Sequence, residues 1–358
     1  MLKEKHYFAG NNTSKGFFSY FNNIFNPEKL KRVFILKGGP GVGKSSFMKK
    51  FAKKLSSLGY SIEYIHCSSD ENSLDGIIIP ELKISVVDGT APHTIDPKLP
   101  GISDEIINLG EFLSHKELLK HKIQVAQINK KKCQFYRSAY RYLESAGLIL
   151  EEINSIYDQF TDDKQFLVLI NNTLKMIFDE KYNHLYDDFG ACRKLFSEAY
   201  TANGHIKFTD SYCDDKKIIA VIGENTNYTA KMLDTIAKEA IARGFDIECF
   251  YSPLTPDKLQ HIIIPGLNLM VMSTENHLSC RYDEIINLHD ILDLENLKAH
   301  ISEIESNLHL FDILINNGIE KLYEAKNFHE LLEVIYTNGM NFKGVDERFE
   351  KFFESLDI

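Results

Sequence analysis

The chain has 358 residues, 44% hydrophobic and 26% charged, which is enough for two globular domains and excludes a disordered or fibrous protein. A net charge of −10 argues against nucleic acid as a partner. The six cysteines form neither a CxxC pair nor a zinc-spaced cluster, and no apolar run is long enough for a signal sequence or membrane span. We therefore expect a cytoplasmic protein with reduced thiols and no membrane partner.

Strand and helix patterns alternate along the first third of the chain. RVFILK (32–37) is a short β-rich apolar run, a helical apolar pattern follows up to Gly59, and SIEYIH (61–66) and KISVVD (83–88) are further strand patterns. From about residue 111 the pattern is helical. This order predicts an α/β fold with a mainly parallel sheet, flanking helices and added helical segments.

A glycine-rich stretch separates the first strand from its helix and fits the P-loop pattern GxxxxGK[ST]. Glycines let backbone N–H groups surround a phosphate, and the helix N-terminus favours its negative charge. The lysine of this pattern reaches the β- and γ-phosphates, and the hydroxyl ligates Mg²⁺. The motif predicts an ATP and Mg²⁺ site formed by Gly38, Gly39, Pro40, Gly41, Val42, Gly43, Lys44, Ser45 and Ser46.

Asp88 ends the third strand pattern, where P-loop proteins place a second carboxylate on the magnesium side. We expect Ser45 and Asp88 to serve as the metal ligands. The next residue is Gly89, not the glutamate that many strand-borne ATPases use as a base. Any base must therefore come from elsewhere in the chain.

The hexapeptide DEIINL occurs twice, at 104–109 and at 283–288. The surrounding sequence also repeats, with IIIPEL (77–82) matching IIIPGL (262–267). This similarity predicts a tandem duplication of one unit. The expected division is an active unit at 1–190, with a core at about 6–110 and a helical extension at about 111–190. The second unit is 191–358, with a core at about 195–290 and an extension at about 291–358.

The second copy lacks the residues that would bind nucleotide. Its loop reads GENTNYTAK, in which Thr229 aligns with Lys44 and Ala230 with Ser45, and Ser273 aligns with Asp88. We therefore expect a partner unit that does not hydrolyse nucleotide.

Other polar residues that change between the copies are further catalytic candidates, with surface drift as the competing explanation. Asp75 and His93 could orient the attacking water or a substrate hydroxyl, as could Asp70. Arg137 or Arg141 could be an arginine finger, or the two could be solvated residues on one helix face. The candidate catalytic set is therefore Lys44, Asp75, Asp88, His93, Arg137 and Arg141.

Guanine recognition usually needs an N/T-K-x-D motif. The nearest stretch, Asn129-Lys130-Lys131-Lys132, lacks the aspartate, which favours ATP over GTP. The expected activity is Mg-dependent hydrolysis of the γ-phosphate. The alternatives are a kinase acting on a small molecule or nucleotide, and a nucleotide-gated adaptor or switch with negligible turnover. A small-molecule or protein partner remains open, as does the oligomeric state.

Several segments together resemble a bacterial family of tandemly duplicated P-loop ATPases of uncharacterised role. They are FAGNNTSKGFFSYF (8–21), ILKGGPGVGKSS (35–46), IHCSSDENSLDGIIIPEL (65–82), VVDGTAPH (86–93) and YRSAYRYL (136–143). The resemblance extends over nearly the whole chain and implies nucleotide binding and an NTPase fold. In the family the second unit usually carries its own P-loop, and GENTNYTAK departs from that pattern.

Overall fold

The computed structural model describes residues 4–91, 94–178, 188–213, 216–274 and 281–356. The strands of these ranges are β1 Glu4–Phe8, β2 Gly10–Thr13, β3 Gly16–Ser19, β4 Arg32–Lys37, β5 Ile62–His66, β6 Leu74–Ile79, β7 Ile84–Asp88, β8 Asp104–Asn108, β9 Cys192–Leu195, β10 Glu198–Thr201, β11 Gly204–Lys207, β12 Lys217–Ile222, β13 Ile247–Tyr251, β14 Leu259–Ile264, β15 Leu269–Thr274 and β16 Glu284–Asn287. The helices are α1 Phe21–Ile24, α2 Lys44–Ser57, α3 His115–Lys120, α4 Lys122–Gln159, α5 Asp163–Ile177, α6 Thr226–Ala242, α7 Leu294–Leu297, α8 Ile301–Thr337 and α9 Phe342–Glu354.

Six of the described strands form a first sheet in the order β1-β5-β6-β7-β4-β8. All run parallel except β6, which is antiparallel to both of its neighbours. The predicted strands at 32–37, 61–66 and 83–88 are confirmed as β4, β5 and β7, and the fold is α/β with a mainly parallel sheet. The strand patterns of β1, β6 and β8 were missed. The β6 sequence LDGIII carries Asp and Gly, and edge strand β8 is half exposed, so neither shows a clear apolar run.

A second sheet has the order β9-β13-β14-β15-β12-β16, which matches the first sheet strand for strand. Here β14 is the antiparallel member, as β6 is in the first sheet. Both occurrences of DEIINL lie at an edge, since they form β8 and β16. In each half a short hairpin follows the first strand of the sheet, β2–β3 after β1 and β10–β11 after β9.

The long helices α4 and α8 pack side by side in opposite directions. Near their middles Leu143 and Ala139 lie against Gly318, and at one end Ile156 shares a core with Ile304. Gly318 allows this close approach, because a Cβ there would stand 3.1 Å from the Leu143 side chain. No helix in the described ranges is both long enough and apolar enough to cross a membrane.

The two short helices that follow the long ones are exchanged between the sheets. Helix α9, near the C-terminus, buries Phe349 and Phe352 in the core of the first sheet against α2. Helix α5, from the first half, buries Phe166 and Ile170 in the core of the second sheet against α6. Apolar packing therefore crosses the expected boundary at residue 190 in both directions. The division into two units at that boundary stays a prediction.

Candidate nucleotide-binding site

The glycine-rich loop lies between the end of β4 and the start of α2. Gly41 and Gly43 have φ angles of 69° and 94°, a left-handed conformation that side chains disfavour. Gly43 is also the N-cap of α2 and makes no side-chain cap, so the first backbone N–H groups of the helix face the loop. This cradle of backbone donors fits a phosphate group.

Lys44, Ser45 and Asp88 meet at this loop because β4 and β7 are parallel neighbours, with Leu36 opposite Asp88. Lys44 Nζ lies 3.0 Å from the Gly38 carbonyl oxygen, 2.8 Å from that of Gly39 and 3.5 Å from Asp88 Oδ2. Parallel strands gather their carboxyl ends at one edge, so residues far apart in sequence converge there.

The two expected metal ligands, Ser45 and Asp88, each have a side-chain oxygen atom near Lys44. Ser45 Oγ accepts a hydrogen bond from the Leu74 amide at 3.1 Å, and Asp88 Oδ1 accepts bonds from the Thr90 amide and hydroxyl. No group of three or more His, Cys, Asp or Glu in the described part of the chain could hold a metal by itself. A hydroxyl and a carboxylate suit Mg²⁺, which takes one or two protein ligands and completes its shell with phosphate oxygens and water. The residues present therefore fit Mg²⁺ bound together with a phosphate.

The remaining loop residues have different environments. Val42 is fully buried, Ser46 is exposed, and Pro40 lies between these extremes. Val42 contributes to the core beneath the loop, and a Cβ at Gly38 would stand 2.7 Å from its side chain. The buried valine thus anchors the loop to the core of the first sheet.

Asp75 is buried on β6 at an irregularity in the β5–β6 pairing, and its carboxylate lies beside Cys67. Burial, and next the Asp75 charge, raise the pKa of the Cys67 thiol well above its usual range. Asp70 is on the preceding loop, where its carboxylate contacts Lys326 Nζ at 3.0 Å and Ser73 Oγ at 2.9 Å. His93 lies outside the described residues.

Arg137 and Arg141 are exposed in the middle of α4, with no ion-pair partner among the residues described. Within the described residues, no hydrogen bond or ion pair joins either arginine side chain to the glycine-rich loop, and we assign neither one to the site.

The glycine-rich loop is covered by the end of α8, from the second half of the chain, which the motifs had not indicated. A Cβ at Gly39 would stand 2.6 Å from the Tyr336 ring. A Cβ at Gly41 would stand 2.8 Å from Thr337 Oγ1 and 2.9 Å from the Glu333 carbonyl oxygen. The sequence repeat aligns the end of α8 with the end of α4, but it does not indicate which sheet each helix end contacts.

The equivalent place in the second half has no such loop. Helix α6 begins at Thr226, the counterpart of Gly41, so three residues that form loop in the first half are helical here. Two side chains of α4 bind the start of α6. Asn154 accepts a hydrogen bond from the Thr226 backbone N–H and donates one to the Thr226 hydroxyl. Asp158 accepts hydrogen bonds from the side-chain amides of Asn225 and Asn227. Side chains thus take backbone donors of this helix N-terminus, because Asn154 accepts from the Thr226 amide and Asn225 from the Asn227 amide.

No protein-family model matches this chain, and comparison with curated proteins and with solved structures found no match.

Proposed function

We propose that the chain is a tandemly duplicated P-loop NTPase whose first unit binds and hydrolyses Mg·ATP. The convergence of Lys44, Ser45 and Asp88 on the Gly38–Gly43 loop carries this proposal. Duplication is supported by the identical strand order of the two sheets. The second unit acts as a partner, because α6 and Asn154 fill the corresponding place.

In this proposal the backbone amides and the side chains of the loop have different roles. The amides of Gly41 to Ser45 hold the β- and γ-phosphates, and the Lys44 ammonium moves from its carbonyl partners to the phosphate oxygens. Ser45 and Asp88 would hold the metal. When bound, Mg²⁺ offsets the negative charge that develops on the phosphate oxygens. ATP remains the proposed nucleotide because the guanine motif is absent.

The test is nucleotide binding and release of inorganic phosphate by the wild type and by Lys44→Ala. We expect turnover to fall by about 10²-fold or more, because one preorganised charge at the phosphate is lost. Lys231→Ala is the matched control, since Lys231 lies in the second turn of α6 and is exposed. Equal turnover in the wild type and Lys44→Ala would refute the proposal. Tight binding with negligible turnover would instead favour the switch.

A further inference from the structure

Polar residues lie on one face of α8 where this helix approaches the glycine-rich loop and the loop that contains Asp70. Lys326, His329 and Glu333 are spaced i, i+3 and i+7, which places them on one side of the helix. Lys326 binds Asp70, and the Glu333 backbone packs against Gly41. His329 Nε2 lies 3.5 Å from Glu333 Oε1. The two outer members of the stripe thus contact the Asp70 loop and the glycine-rich loop.

The Glu333 carboxylate contacts His329, which lies between Glu333 and Lys326 along α8. Helical side chains lean towards the helix N-terminus, and the His329 contact shows that Glu333 does so. The carboxylate therefore leans along α8 in the direction of Lys326, which pairs with Asp70. Ser45 is on this same side, since its hydroxyl binds Leu74, which follows the Asp70 loop. The Glu333 side chain remains 44% exposed, so a water molecule can reach it.

The corresponding face of α4 lacks this chemistry. At the same spacing of 179 residues, Lys326, His329 and Glu333 correspond to Gly147, Leu150 and Asn154. Asn154 binds Thr226 in the closed helix end. At these three positions α8 therefore carries titratable side chains, whereas α4 carries a glycine, a leucine and an amide.

We propose that Glu333 is the catalytic base of the first unit, supplied by the second half of the chain. The inference rests on the proposed ATP hydrolysis. Because Gly89 follows Asp88, β7 offers no glutamate for this task. Water oxygen bonds to the γ-phosphorus as the bond to the β–γ bridging oxygen breaks, and ADP leaves with that electron pair. The water proton passes to the Glu333 carboxylate and then to the phosphate product or solvent.

The experiment compares Glu333→Gln with the wild type in single-turnover hydrolysis and in nucleotide binding. We expect hydrolysis to fall by about 10²-fold or more, with ATP and ADP affinities within about threefold. Affinity for ADP with aluminium fluoride, which mimics the transferring phosphate, should fall while ADP affinity does not. Glu320→Gln is the control, because Glu320 is exposed on the same helix and pairs with Lys321. Glu333→Asp should recover part of the rate.

Two results would overturn the proposal. Unchanged hydrolysis in Glu333→Gln, with Lys44→Ala inactive, would remove Glu333 as the base and leave the proposed function intact. A parallel loss of hydrolysis and nucleotide affinity would show that Glu333 only holds the covering helix in place. If the wild type itself hydrolyses no ATP, the proposed function and this inference fail together.

Discussion

At the residue scale, the glycines of the loop have two separate reasons to be glycine. Gly41 adopts a left-handed φ and also lies against the backbone of Glu333. The left-handed φ is typical of a phosphate-binding turn. The contact with Glu333 is specific to this molecule, in which another part of the chain packs on the loop. The two requirements can be separated by mutation, because Gly59 shares the left-handed φ but has open space around its Cβ position.

Gly41→Ala should therefore cost more stability than Gly59→Ala. Gly59→Ala should lose about 1–2 kcal/mol through backbone strain alone. Gly41→Ala should lose about 1–3 kcal/mol more, because the methyl group overlaps Glu333 and Thr337, and it should weaken ATP binding. Chemical denaturation and nucleotide titration of both variants measure this difference. Equal losses in the two variants would argue that α8 does not press on the loop.

At the scale of elements, the first core is completed by a helix from the other end of the chain. Phe349 of α9 is 1% exposed and packs edge-on against Phe47 of α2 at a ring separation of 4.9 Å. The equivalent position in α5 is Ile170, which is buried against the second sheet. Helix α2 begins at the glycine-rich loop. Because α9 packs on α2, α9 stabilises the helix that holds the candidate site.

Phe349→Ala should consequently impair the distant N-terminal site. We expect a loss of about 3–5 kcal/mol in stability from the cavity, together with weaker ATP binding, because α2 loses its support. Ile170→Ala is the matched control and should cost about 2–5 kcal/mol while leaving ATP affinity close to that of the wild type. Stability and affinity are to be measured at a temperature where both variants are folded. A larger affinity loss in Ile170→Ala would contradict this assignment of the helices.

At the scale of the whole molecule, the halves are joined by charge as well as by apolar packing. Arg193 of β9 lies 2.6 Å from Glu63 in the first sheet and 3.2 Å from Glu248 in the second. Burial by itself lowers the pKa of this guanidinium, but the two carboxylates outweigh burial and raise it. Together with the exchanged helices, this buried ion cluster makes each half depend on the other.

Neither half should therefore fold when produced alone. Residues 1–190 lack α9 and expose the α2 face that it covers, and residues 191–358 lack α5. We expect each fragment to aggregate or to lack a cooperative unfolding transition, and the two to recover ATP binding when produced together. Circular dichroism and co-purification measure this. A stable, ATP-binding 1–190 fragment would show that the exchange of helices is dispensable.

Much of the chemistry could be read from residues alone. The motif at 38–45 needs a strand before it and a helix after it, and both follow from local apolar spacing. The repeat of DEIINL correctly indicated that two parts of the chain would have equivalent elements. Strand β6 could not be read in this way, because Asp75 and Gly76 are acceptable within a strand only where neighbouring elements surround them.

The sequence by itself determined the α/β class, the glycine-rich pattern at 38–45 and the loss of that pattern in the second half, since each depends on residues close together in the chain. Only the tertiary structure decided that α9 packs on the first sheet and α5 on the second, and that α8 covers the loop. The physical reason is that α5 and α9 have similar apolar faces, so the spacing of their apolar residues is compatible with packing on either sheet. The choice between them is made by side-chain volumes and buried hydrogen bonds, such as those of Asn154, which exist only once the whole chain is assembled.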